Sequence, residues 1–113
     1  MKILFTAKGE TWESPMDERF GRMEMSVIYD EESDKLETVS NSETESMEHG
    51  VGLQTSKKVM ELKPDIVITG NGAGQKALDL LKRSNIKIYI GAGEMTLKEA
   101  YDAYKNGQLK TQF

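Results

Sequence analysis

His49 is the single histidine of a 113-residue chain that has no cysteine, which makes it the one strong nitrogen ligand the chain can offer a metal. Every other coordinating group is a carboxylate, a thioether or part of the backbone. It stands in Met47-Glu48-His49-Gly50-Val51-Gly52, where a loop runs into a predicted helix. Without convergent neighbours a histidine in such a place is a solvated loop residue or packs at the helix start, so a functional reading depends on what the fold brings beside it.

Arg19 and Arg22 flank Phe20-Gly21 just ahead of a predicted strand and offer permanent cations with forked donors to an anionic ligand. The competing arrangement is pairing with Asp17, Glu18 or Glu24. Gly70, Gly72 and Gly74 would let backbone N–H groups approach an anion at a helix N-terminus, or would simply close a tight βα turn. The spacing is not GxGxxG and no GxxxxGK[ST] stretch exists, so neither nucleotide fingerprint is present. Met16, Met47 and Met95 fall in three loops; thioethers are soft, weak ligands, and packing is their commoner role. Two chemistries are excluded. The first strand lacks the inward carboxylate that a two-metal nuclease needs from its sheet, and there is no GxSxG elbow or other nucleophile and orienting acid at meaningful spacing from His49.

The composition narrows the field further. With zero Cys there is no disulfide framework, no CxxC redox pair and no self-contained thiolate iron–sulfur site, so any cluster would have to be borrowed. A net charge of -4 argues against non-specific nucleic-acid binding. The hydrophobic fraction is 37%, and no apolar run approaches the roughly 20 residues of a membrane span. The expectation is one cytoplasmic domain covering residues 1–113, without membrane or nucleic-acid partners.

These groups are positioned by a readable series of elements. Residues 2–7 form an apolar, β-capable run, a polar loop containing Trp12 and Pro15 follows, and residues 23–29 and 35–39 read as two further strands of an antiparallel meander. Residues 41–48, rich in Ser, Thr and Glu, read as a solvated loop less ordered than its flanks. Helical periodicity then brings Leu53, Ser56, Val59 and Met60 onto one face until Lys63-Pro64. Residues 65–69 are a short, continuously apolar strand of the kind buried on both faces. Gly70 to Gly74 leads into a helix carrying Ala77, Leu78 and Leu81 inward, residues 86–90 form the last strand, and Gly91-Ala92-Gly93 precedes a third helix with Thr96-Leu97-Lys98-Glu99 as its capping box and Gly107 as its stop. The order βββαβαβα with right-handed crossovers predicts a three-layer α/β/α domain around a five-stranded mixed sheet, order 3-2-1-4-5, in which strand 2 runs against the rest. In that topology His49-Gly50, both arginines and the loops at Gly72 and Gly93 all reach the carboxyl edge of the sheet, where open α/β folds bind ligands.

Three stretches, Asp17-Glu18-Arg19-Phe20-Gly21-Arg22, His49-Gly50-Val51-Gly52, and Ile90-Gly91-Ala92-Gly93 continuing through Ala100-Tyr101 to Gly107-Gln108-Leu109, together resemble the dinitrogenase iron–molybdenum cofactor biosynthesis family. These are the NifX-like domains also found at the C-terminus of NifB and in NafY. The resemblance runs over nearly the whole chain, and its most specific part is the D-x-R-F-G-R segment. It implies a ribonuclease-H-like fold and a carrier rather than a catalyst, bearing an iron–sulfur or iron–molybdenum cluster or its precursor between a donor and an acceptor protein. On matching positions it implies that His49 ligates a cluster metal while Arg19 and Arg22 steady its charge, with Gly50, Gly72 and Gly93 forming the surrounding backbone. The residues themselves also allow a sensor of an anionic metabolite or nucleotide acting through Arg22, Gly72 and Gly93, or an interaction protein whose contact is the acidic loop at 41–48.

Overall fold

β1 (Lys2–Ala7) is buried from its second residue to its last, because helices cover the sheet on both sides of it. A computed structural model describes residues 1–40 and 51–112 of the chain; the predicted loop at 41–48, His49 and Gly50 lie outside them. β1 pairs antiparallel with β2 (Met25–Asp30), which pairs antiparallel with β3 (Lys35–Ser40). On its other side β1 is parallel to β4 (Ile66–Ile68), and β4 to β5 (Lys87–Ile90). The helices are α1 (Val51–Leu62), α2 (Gln75–Arg83) and α3 (Leu97–Lys105). The expected strand order is therefore present, with one addition: β6 (Lys110–Thr111) pairs antiparallel with β5 and makes the sheet six-stranded, β3-β2-β1-β4-β5-β6. Two exposed polar residues carry no period of their own; this strand exists only because α3 returns the chain to the sheet edge.

Alternation along the strands sends side chains into two cores. Leu4, Ile28, Val67 and Ile88 join Val59 of α1 and Ala77 and Leu81 of α2 on one face. Ile3, Phe5, Val27, Ile66 and Ile68 join Leu97 and Ala100 of α3 on the other. A strand buried on both faces must read as continuously apolar, and β1 and β4 do.

The helix ends follow from local chemistry. α1 stops where Lys63 takes a left-handed conformation, φ 53, ahead of Pro64, which has no N–H to continue the ladder. α3 opens with the expected capping box: the Thr96 hydroxyl accepts from the Glu99 N–H at 3.2 Å, and the Glu99 carboxylate accepts from the Thr96 N–H at 3.0 Å. Its far end is tied to the β2–β3 turn, since the Tyr101 hydroxyl and Lys105 Nζ both donate to Glu31 Oε2, at 2.6 and 3.0 Å. These two hydrogen bonds hold the Glu31 carboxyl below its ordinary range against the opposing effect of burial.

Candidate functional site

The carboxyl end of the sheet is crossed by the segment at 15–24, which anchors itself in both cores. Met16 is buried among the α3-side residues, while Phe20 and Met23 are buried among those of α1 and α2. The chain thus straddles the top of β1. The Asp17 N–H donates to the Thr6 carbonyl at 2.8 Å, and the Thr6 hydroxyl donates to the Asp17 carbonyl at 2.7 Å while hydrogen-bonded to the Thr69 hydroxyl at 2.8 Å. Two threonines in an otherwise apolar strand pair thereby satisfy each other and fix the loop above them.

Asp17 organises the next turn. Its carboxylate, with the side chain 1% exposed, accepts from the Arg19 N–H and Nε through Oδ1 and from Arg19 Nη2 and the Glu24 N–H through Oδ2, each at 3.0 Å. Burial works to raise the pKa of this carboxyl, but the donors from Arg19 and Glu24 outweigh it and hold the group below its ordinary value. This turn also explains why β2 begins at Met25 and not at Met23: the Glu24 N–H is committed to Asp17, and the Met23 N–H to the Phe20 carbonyl at 3.4 Å. Sequence reasoning weighed Asp17 only as a pairing partner. The usable signal was its position two residues before Arg19, where an aspartate side chain readily accepts the i+2 N–H.

Of the predicted site residues, Arg19 is therefore engaged on one edge by Asp17, with its side chain still 51% exposed. Arg22 is exposed on the same turn, and the preceding Gly21 carbonyl accepts from the Thr55 hydroxyl of α1 at 2.6 Å. The arginine segment is thus joined to the first half of α1, the helix that follows His49-Gly50 in the chain.

Beside that turn, the Glu18 carbonyl accepts from the Asn71 N–H at 2.9 Å and the Gly70 carbonyl from the Gly91 N–H at 3.0 Å. Gly70 is required at this crossing, because a Cβ there would sit 2.7 Å from the Glu18 Cα and 2.9 Å from the Gly93 Cα. The three loops enclose an open cleft of about 350 Å³ lined by Glu18, Gly70, Asn71, Gly91, Gly93, Glu94 and Met95. Gly93 is thus on the cleft wall. Gly72, at φ +89, lies under the Gln112 side chain, whose amide accepts from the Ala73 N–H at 2.9 Å and donates to the Ala73 carbonyl at 2.7 Å. The Ala73 N–H is thereby committed to the C-terminal segment. Among the described residues no group of three or more Asp, Glu, His or Cys is arranged to hold a metal ion, and no helix is long and apolar enough to cross a membrane.

The family model for the dinitrogenase iron–molybdenum cofactor matches residues 1–107 of the chain. The chain belongs to that family. Among solved structures, the apo form of the orange protein from Desulfovibrio gigas superposes with a TM-score of 0.90 at 27% identity, over 96% of this chain and 90% of that one. A putative NifB protein from Thermotoga superposes with a TM-score of 0.80 at 31% identity, again over 96% of this chain and 90% of the other. No curated protein matches the chain. The match covers β1 to β5 and α1 to α3 and stops short of β6, and it spans both arginines, His49 and the glycine loops of the rim.

Proposed function

We propose that the chain is a small carrier or accessory protein that holds a preformed iron–sulfur or iron–molybdenum type cluster, or a precursor of one, at the carboxyl rim of its sheet. The family match over residues 1–107 carries the reading. A chain without cysteine has no thiolates with which to build a cluster. Its cargo arrives with its own bridging ligands and is held by one imidazole, by charge compensation and by backbone dipoles. Such a set binds and releases readily, which suits transfer between a donor and an acceptor protein and requires no catalysis.

In this reading His49 is the metal ligand, with Gly50 allowing close approach of the backbone. Arg22 and the exposed part of Arg19 balance the cargo's negative charge. Glu18 and Glu94 line the neighbouring cleft and would repel an anion inside it, which favours the arginine side of the 17–24 turn as the seat. Gly93 and Gly72 then act from behind, keeping the loops close.

The test is anaerobic titration of isolated cluster into the wild type, His49→Ala and Arg22→Ala, with absorbance and metal retained after gel filtration as readouts. We expect His49→Ala to weaken retention about tenfold or more at any salt. Arg22→Ala should weaken it less, by a margin that narrows as salt is raised, because the lost attraction is the part that salt screens. Equal retention by wild type and His49→Ala would remove the ligand role. Saturable binding of a nucleotide or other anionic metabolite, with no cluster retained, would favour a sensor acting through Arg22, Gly72 and Gly93.

A further inference from the structure

Three aromatic side chains meet on the α3 face of the sheet. Trp12 from the loop after β1, Tyr29 from β2 and Tyr101 from α3 lie with ring centroids 4.9, 5.6 and 5.4 Å apart for the Trp12–Tyr29, Trp12–Tyr101 and Tyr29–Tyr101 pairs. Phe5 of the core backs Trp12 at 5.9 Å. The three rings are only partly buried, and with Glu13, Asp34 and Lys98 they line an open cavity of about 330 Å³. It shares no residue with the cleft at the rim.

The charges around this cavity are unequal. Lys98 is matched by Asp102 at 3.1 Å, which leaves Glu13 and Asp34 as the carboxylates of the lining. Asp34 is held in place: it sits at φ 54, its N–H donates to the Asp30 carbonyl at 2.8 Å, and the Tyr29 hydroxyl donates to Oδ1 at 2.6 Å. Aromatic faces carry the negative side of a quadrupole, and carboxylates beside them add formal negative charge. A neutral apolar ligand would gain nothing from the carboxylates. A bare metal ion would gain little from the rings. We propose that this cavity is a binding site for a small organic cation, an alkylated ammonium ion whose apolar surface packs on Trp12, Tyr29 and Tyr101 and whose charge is met by Glu13 and Asp34.

Trp12 is the only tryptophan of the chain, so its emission reports on this cavity. The experiment titrates choline, and separately its uncharged carbon isostere 3,3-dimethylbutan-1-ol, into the full chain at low ionic strength. Choline should produce a saturable change in emission, with the isostere binding about fivefold more weakly or worse. Glu13→Gln combined with Asp34→Asn removes two charges and leaves the rings in place; asparagine accepts the left-handed backbone at position 34, and Glu13 is exposed. This variant, folded by circular dichroism, should bind choline about fivefold more weakly. No saturable change with choline, equal affinity for the isostere, or unchanged affinity in the double variant would each overturn the cation site.

Discussion

Asp17 concentrates four hydrogen-bond donors on one buried carboxylate at the centre of the rim, so its ionised form is worth more to the folded chain than to the unfolded one. Its folded pKa lies below the ordinary 3.8; the resulting stability is fully present above that ordinary value and is lost as pH falls through the lower folded one. We predict that Asp17→Asn costs about 2–4 kcal/mol in urea unfolding at neutral pH, and that the variant loses less stability than wild type on acidification below the carboxylate range. A neutral-pH cost within about 0.5 kcal/mol, the level of an ordinary surface substitution, would contradict it. The motif around Asp17 was legible as D-x-R-F-G-R, and pairing of Arg19 with Asp17 was one of the arrangements the charges allowed. What no local pattern discloses is that Asp17 is buried and also takes the Glu24 N–H, because both depend on the segment at 15–24 being anchored in two cores at once.

The elements that read clearly from sequence are those whose periodicity their burial enforces. β1 came out with its boundaries intact and β4 within a residue at either end, because a strand covered on both faces must be continuously apolar. The capping box of α3 was equally plain, since Thr96 and Glu99 make their bonds within one turn. β6 was not legible, being a product of the return of the chain after α3, and β2 starts late because the turn upstream takes the Met23 N–H on the Phe20 carbonyl and the Glu24 N–H on the Asp17 carboxylate. The close crossing at Gly70 was visible only as one glycine in a run of three. At this crossing Gly70→Ala would drive a Cβ against the backbones of Glu18 and Gly93, and backbone cannot yield as a flexible side chain can. We expect a loss of about 1–3 kcal/mol by thermal or urea unfolding; full stability in the variant would show that the loops separate without cost.

Across the whole molecule, the mixed sheet with α1 and α2 on one face and α3 on the other places two glycine loops and the arginine turn at one end. Order and direction of the strands followed from the meander and two parallel crossovers, and they match structures sharing 27% and 31% of the sequence. The meeting of the arginine turn with the Gly70 and Gly93 loops was legible at this scale, while the place of His49-Gly50 lies outside the described residues; the acidic lining of the cleft and the cover of Gln112 over Gly72 were not legible, because they depend on side chains from distant segments. The central claim, a carrier of a preformed cluster, rests on the family match and on a chain with one histidine and no cysteine. The most direct test is to incubate the purified chain anaerobically with excess isolated iron–molybdenum type cluster, pass it through gel filtration, and measure metal and cluster absorbance in the protein peak. We predict metal co-eluting with the protein in a fixed ratio to it and a cluster absorption band that persists until an acceptor or chelator is added; a protein peak free of metal at saturating cluster would contradict the account.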